Sequence, residues 1–290
     1  MDNWKKAGEI ASEARKFGAR LIKPGASIFE VTEKIEAKIE ELNGNLAFPT
    51  QLSSNNVAAH YNALIGDTSK FGKNDLIKLD LGVHIEGCIA DCAITVDLSG
   101  KNSKLVDASR NALKAAIEVI KPGITLSEVG SVISNEITSA GFVPVKNLSG
   151  HGLGEYNIHD SPSIPNYDNG DDTKLVKDQK IAIEPFASTG SGIVVEGKGS
   201  EVFGLQNIKN VRNMQARNIM KFVTENFKTL PFAKRHLLEK FNKFQIAVGV
   251  NNLVREGVLM EYHVLQEKDP SVLVSQAENT VIVGEGQTTE

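Results

Sequence analysis

Only two cysteines occur in 290 residues, Cys88 and Cys92, and both stand in one short segment. They exclude a disulfide scaffold, and an isolated C-x3-C is not the spacing of a structural zinc site, so both read as plain thiols. Long apolar runs are missing as well. None approaches the ~20 residues that a bilayer span requires. The opening residues, Met1 to Lys6, lack the apolar stretch of a secretory signal and lead straight into a polar helical pattern, which makes the cytoplasm the expected compartment. Nor is there an excess of one charge. Lys and Arg number 32 against 36 Asp and Glu, a net charge of −4. The molecule as a whole is therefore not tuned for a polyanion, and neither a membrane nor a sequence-specific nucleic acid partner is expected. What is present is the 41% hydrophobic and 23% charged balance of an ordinary globule, in a chain long enough for one large domain or two modest ones.

The sequence repeats itself once. Ile22-Lys-Pro-Gly-Ala-Ser-Ile-Phe-Glu-Val31 returns as Ile120-Lys-Pro-Gly-Ile-Thr-Leu-Ser-Glu-Val129, each after an Ala-containing helical pattern. Ser27 and Thr125 each precede a Glu by three residues, the capping-box signature of a second helix. Further on, Lys73-Asn-Asp-Leu-Ile-Lys-Leu-Asp80 resembles Lys177-Asp-Gln-Lys-Ile-Ala-Ile-Glu184, in each case a polar turn and a short strand ending on a carboxylate. The offset is 98 for the helices and 104 for the strands, a drift that one loop insertion explains. The expectation is an α+β fold of two like halves about a pseudo-twofold axis, with Asp80 and Glu184 facing each other across it.

Residues 205–258 differ in character. Apolar spacing near 3.6 suggests helices over Gln206–Phe227, Ala233–Phe241 and Ala247–Glu256. Ten Lys and Arg lie between Lys209 and Arg255 against two Glu and no Asp. Strand patterns resume at Ser271–Val274 and Thr280–Val283. This reads as a helical subdomain, 205–258, inserted into a discontinuous main domain of residues 1–204 and 259–290.

Chemistry concentrates on carboxylates and histidines. Two alternating runs flank the hairpin signal Glu86-Gly87, and either a two-residue or a four-residue loop there puts Asp80 and Asp91 on one face of the ribbon. Two carboxylates among Leu79, Leu81, Ile89 and Ala90 repel each other unless a cation sits between them. The Gly-rich run Ser149-Gly-His151-Gly-Leu-Gly-Glu-Tyr-Asn-Ile-His159 carries two histidines on a backbone that can approach a ligand closely. It is not a dinucleotide motif, because no strand-turn-helix pattern surrounds it. His60 is the first half's counterpart of His159, at an offset of 99. Glu184 ends one apolar strand and Glu278 adjoins another. Asp80, Asp91, Glu184 and Glu278 supply four negative charges, which two divalent cations would balance. With His151 they make a mixed oxygen and nitrogen site suited to Co, Mn, Fe or Zn.

At these residues, and over nearly its whole length, the chain resembles the methionine aminopeptidases, M24 metallopeptidases whose architecture is called the pita-bread fold: an antiparallel sheet flanked by helices, in two related halves. The resemblance implies two divalent metal ions held by Asp80, Asp91, His151, Glu184 and Glu278, with Asp91 and Glu278 bridging. It implies catalytic roles for Glu184 as proton shuttle, His60 at the substrate's amino end and His159 at the scissile amide. It also implies a methionine pocket of Phe48, Ile158 and Tyr262. The long basic insertion, Ala58-Ala-His-Tyr and Asn147-Leu-Ser-Gly-His resemble the type II enzymes, and the missing N-terminal extension resembles their archaeal form. Type II pockets usually carry a His after the Glu184 position. None occurs in 188–203, where Glu201 and Val202 stand instead. The function implied is cotranslational removal of N-terminal methionine from nascent proteins through a metal-activated hydroxide. Small second residues would be favoured, and the basic insert could meet the ribosome. For type II enzymes the resemblance also implies that fumagillin-type epoxides alkylate His60. Two rivals share the scaffold. One is an Xaa-Pro aminopeptidase or prolidase, which usually carries a separate N-terminal domain. The other is a non-catalytic binding protein, which loses the metal ligands that this chain keeps. His84, His236 and His263 match no such role and read as structural or exposed.

Overall fold

The computed structural model describes residues 2–289. The first half runs through helices α1 (Asp2–Leu21) and α2 (Ile28–Glu41), then strands β1 (Asn45–Ser54), β2 (Val57–Ala59), β3 (Leu76–Ile85) and β4 (Cys88–Asp97). The second half opens with α3 (Ser103–Val119) and α4 (Leu126–Ser139). It continues through β5 (Val143–Pro144), β6 (Ser149–Gly154), β7 (Asn157–Pro165), β8 (Lys180–Ile183), β9 (Phe186–Ser188) and β10 (Val194–Leu205). Next come α5 (Met214–Asn226), β11 (Phe232–Ala233), a 3-10 turn (Lys234–Glu239) and α6 (Lys243–Arg255). The chain closes with β12 (Leu259–Glu267), β13 (Val274–Gln276), β14 (Glu278–Ile282) and β15 (Gly286–Gln287).

The main sheet has the order β1-β3-β4-β14-β8-β6-β7, with β15 on β14, and its neighbours are antiparallel. Helices cover it with periodic apolar faces. Ile28, Val31, Ile35 and Ile39 of α2 pack with Leu79 and Leu81 of β3, while Val129, Ile133 and Ile137 of α4 pack with Ile181 and Ile183 of β8. A second sheet, β11-β10-β12-β2, stands beside it, and a third joins β13, β9 and β5.

The repeat is visible bond by bond. Gly25 N–H donates to Phe71 O at 2.8 Å, and Gly123 N–H donates to Leu175 O at 2.8 Å. Ile28 N–H reaches Ser69 O at 3.0 Å, and Leu126 N–H reaches Thr173 O at 3.0 Å. Both turn glycines hold a positive φ, 83° and 92°, which Lys-Pro-Gly supplies without a side-chain penalty. The capping box is complete at Thr125 with Glu128. At Ser27 the hydroxyl caps Glu30 N–H, the one half of the box seen there.

The insert departs from its expected helices. Residues 206–213 are not helical, because the Asn213 side chain caps Ala216 N–H and starts α5 there. The expected helix over Ala233–Phe241 is instead β11 and a 3-10 turn, since Ala233 pairs with Val202 of β10. Helix α6 begins earlier than expected, at Lys243, where Asn242 and Gln245 form a capping box. Ile219, Val223, Ile246, Val250 and Leu253 make a separate apolar cluster that also takes in Phe203 and Leu259 of the flanking strands. The last strands are shifted as well, to Val274–Gln276 and Glu278–Ile282.

Candidate metal centre and substrate cleft

The β3–β4 hairpin closes on the two residues Glu86 and Gly87, with φ of 50° and 88°, the backbone of a tight primed turn. The two-residue loop fixes a register in which Asp80 opposes Ala93 and Asp91 opposes Gly82. Period-2 alternation then puts both carboxylates on one face. Across β4, Glu278 pairs with Ala93; across β14, Asn279 pairs with Ile183, one residue before Glu184. On the next strand His151 pairs with Ala182. Five adjacent strands thus deliver Asp80, Asp91, Glu278, Glu184 and His151 to one cleft.

The cluster is crowded and buried. Asp80, Asp91, His151 and Glu278 are at most 9% exposed. His151 Nδ1 faces Gly152 O at 3.1 Å and donates to it, which leaves Nε2 as a lone pair 3.6 Å from Asp91 Oδ2 and 3.5 Å from Glu184 Oε1. Burial and the neighbouring His159 hold His151 down at about 3, so it is neutral. Burial pushes Asp80 up to about 7, and burial together with mutual repulsion raises Asp91, Glu184 and Glu278 well above the carboxylate range. Gln276 Nε2 donates to Asp80 Oδ2 at 3.4 Å and to Glu278 Oε2 at 3.2 Å. Among the described residues nothing donates to the buried Asp80 Oδ1, Asp91 Oδ1 or Glu278 Oε1. Ligand atoms of Asp91, His151 and Glu278 lie within 4.8 Å of one another. Acceptors turned on acceptors in a buried space, three of them with no donor among the described residues, fit divalent cations and little else.

The same cleft is lined by His60, His159, Phe48, Ile158 and Tyr262, so every site residue expected from the sequence comes to one place. His60 sits at φ 66°; its N–H donates to Gln51 Oε1 at 2.7 Å, and its Nδ1 to His263 O at 3.0 Å. Its ring meets Tyr262 edge-on at 5.7 Å, and the His159 ring lies 4.8 Å from that of His151. Burial holds His60 at about 4 and lowers His159, so both are neutral near pH 7. Val202, from the segment without a histidine, lines the cleft, while Glu201 turns away to Lys234 Nζ at 2.8 Å. His84, His236 and His263 face Gly87 N–H, Glu36 and Glu196.

Sequence reasoning missed Gln276, Gln51 and Pro231. Gln276 lies two residues before Glu278, which could have flagged it as a strand neighbour on the same face. Gln51 and Pro231 had no local signal. It also missed Arg15 of α1, whose Nη1 donates to Glu278 O at 3.0 Å and Asn279 Oδ1 at 2.7 Å and so fixes the strand that carries one carboxylate of the cluster.

Curled antiparallel strands, paired helices on one face and a buried nest of carboxylates define a metal-dependent hydrolase of the pita-bread fold. The model of metallopeptidase family M24 matches residues 2–215. A methionine aminopeptidase of Archaeoglobus fulgidus is 46% identical over 98% of this chain and 95% of its own length. That of Pyrococcus horikoshii is 41% identical over 100% and 98%. The crystal structure of the Thermotoga maritima methionine aminopeptidase, at 22% identity, superimposes with a TM-score of 0.70 and covers 99% of this chain and 95% of that one. The chain belongs to metallopeptidase family M24, among its methionine aminopeptidases, and is a divalent-metal-dependent enzyme. Among the described residues no helix is long and apolar enough to cross a membrane.

Proposed function

We propose that this chain is a type II methionine aminopeptidase of archaeal form that removes the first residue from nascent proteins and favours small second residues. The observation that carries this reading is the junction, in one cleft, of a buried acidic cluster, two neutral histidines and an apolar wall. Asp80, Asp91, His151, Glu184 and Glu278 would hold two divalent ions, Co, Mn, Fe or Zn, which when bound supply Lewis acidity that lowers the pKa of water and polarises a carbonyl.

The chain's own residues do the rest. His60 spends its Nδ1 proton on His263 O, so Nε2 is an acceptor and receives a hydrogen bond from the substrate's free α-amino group. Only a chain end offers that group, which restricts cleavage to the first bond. His159 is neutral, and its N–H stabilises the negative charge that develops on the carbonyl oxygen. Glu184 takes the proton of the attacking water and passes it to the departing amine. Phe48, Ile158 and Tyr262, with Val202 and Pro231, receive an unbranched apolar side chain. Discrimination by such a wall is limited to about 1–3 kcal/mol per methylene.

Residues 205–258 form a subdomain inserted into a catalytic domain of 1–204 and 259–290. Exposed Lys209, Arg212, Lys240 and Lys243 give it a basic surface suited to the phosphate-rich ribosome. Hydrolysis of Met-Ala-Ser and Met-Lys-Ser, with and without chelator and added Mn, Co, Fe or Zn, tests the reading. Metal-dependent cleavage of Met-Ala-Ser well above Met-Lys-Ser is expected, and equal rates, or rates indifferent to chelation, contradict it.

A further inference from the structure

Glu36 lies on α2, outside the metal centre, and is buried. Its carboxylate gathers donors from two distant stretches of chain. Oε1 accepts the Thr50 N–H at 2.9 Å and the Arg235 guanidinium, and Oε2 accepts from His236 Nε2 at 3.1 Å. The tautomer follows from the other ring nitrogen, because His236 Nδ1 accepts the Ala233 N–H at 3.3 Å. Burial alone would raise this carboxyl, but the His236 hydrogen bond and the Arg235 charge outweigh it and hold Glu36 at about 2. It is an anion at every working pH.

What those donors carry matters more than the ion pair itself. Thr50 sits on β1 between Phe48 and Gln51, both of which line the cleft. Arg235 and His236 end a strap, residues 228–236, that also lines it through Pro231. The strap's other end is fixed too: Lys228 Nζ lies 3.4 Å from the centre of the Tyr156 ring, and the Thr229 hydroxyl donates to Tyr156 O. Between them Leu230 packs into one apolar cluster with Phe48 and Ile158. Ala233 of the strap pairs with cleft-lining Val202.

We propose that Glu36 is a positioning residue which, by holding strand β1 and the strap together, sets the width of the apolar part of the cleft and so which first side chains are accepted. This rests on the reading that Phe48, Pro231 and Val202 receive the first side chain. With an amide in place of the carboxylate, the buried Arg235 keeps Glu33 as its anionic partner among the described residues, a side chain that is 50% exposed. One amide oxygen must then serve Thr50 N–H and Arg235 while the NH2 group meets the His236 Nε2–H, donor against donor. Both changes favour hydration and let the strap move away from β1. Glu36 touches neither substrate nor metal ligands, so its loss acts on binding and selectivity rather than on bond cleavage.

The test compares kcat and KM for Met-Ala-Ser, Leu-Ala-Ser and Phe-Ala-Ser in metal-loaded wild type, Glu36→Gln, Glu36→Asp and Arg235→Lys, with metal content and thermal unfolding recorded for each. In Glu36→Gln, KM for Met-Ala-Ser is expected to rise ~10-fold with kcat within ~2-fold, and the preference for Met over Leu and Phe to narrow ~10-fold. Metal content stays unchanged. Arg235→Lys, which loosens only the strap, shifts the same ratio in the same direction, and Glu36→Asp restores part of it. Unchanged preference among the three peptides, or kcat falling equally for all of them, overturns the proposal. If Glu36→Gln does not fold, the ratio in Arg235→Lys decides. Should wild type prefer Leu or Phe to Met, the methionine reading fails, while the change in ratio still scores Glu36.

Discussion

His60 donates its ring Nδ1 proton to the main-chain carbonyl of His263, 3.0 Å away and 203 positions further along the chain. That bond fixes the tautomer, so the nitrogen available to substrate carries a lone pair. Replacing His60 with Ala is expected to lower kcat/KM by about 30-fold, the worth of one charge-assisted hydrogen bond. His159→Ala, which removes a donor to the developing oxyanion, should cost ~100-fold or more, mainly in kcat. Metal content by elemental analysis should match wild type in both. The same Nε2 lone pair is the nucleophile that a fumagillin-type epoxide would meet, so peptide mapping should find the adduct on His60. An adduct on half-buried Cys88 would remove the assignment.

Metal removal has a sharper signature. Chelation is expected to abolish peptide hydrolysis, and a divalent ion to restore it. Asp91→Ala and Glu278→Ala each take away a carboxylate with one oxygen that has no donor among the described residues, so both should lose metal and nearly all turnover. Either variant working at full rate without bound metal would end the two-ion reading.

The metal-free protein should answer to pH in an unusual direction. Burial lifts Asp80 to about 7, and burial with mutual repulsion lifts Asp91, Glu184 and Glu278 further above their ordinary values of about 4. An acid raised in this way binds more protons folded than unfolded, so its contribution is complete below about pH 4 and disappears as pH climbs through the folded value. Chelated protein should therefore unfold at less urea at pH 8 than at pH 6. Glu278→Gln should narrow that gap, and saturating metal should close it. A chelated protein more stable at pH 8 than at pH 6 contradicts the acidic-cluster account.

The insert's charge is smaller than a count suggests. Arg235 is buried against Glu33 and Glu36, Lys234 pairs with Glu201, and Lys221 reaches Glu225 at 3.8 Å. Seven exposed Lys and Arg remain, among them the four Lys209, Arg212, Lys240 and Lys243. Changing these four to Gln should leave tripeptide hydrolysis within about 2-fold, because surface charge acts on encounter rather than on chemistry. It should weaken ribosome co-sedimentation at low salt and flatten its salt dependence. Ribosome binding that does not change would make the patch a solvated face only.

Legibility followed periodicity. Asp80 and Asp91 could be placed together from sequence because a tight turn and a period of 2 convert spacing into a shared face. The two Lys-Pro-Gly turns, followed in the same order by strands that end on Asp80 and Glu184, made the internal repeat readable in the sequence. Glu36 could not be found, since its meaning lies in Arg235 and His236, 199 and 200 positions away. Gln276 was half hidden: its place two residues before Glu278 is legible, but its second bond matters only once Asp80 has been brought beside it. In the insert, apolar spacing alone overran the helix starts, because the Asn213 and Asn242 caps outrank periodicity at a helix end. Ala233 was lost to a strand whose partner, Val202, no local pattern reveals.

Strand β14 enters the main sheet between β4 and β8, although among its strands only β15 follows it in the chain. During synthesis the two half-sheets must therefore wait, each with a bare inner edge, until residues 278–282 emerge to join them. Bare edges invite pairing with neighbouring chains, so this interval is the period of greatest aggregation risk for the enzyme. Glu278 arrives on that same strand. The segment that closes the sheet also completes the acidic cluster, so an unfinished copy of the enzyme is both unzipped and short of a carboxylate.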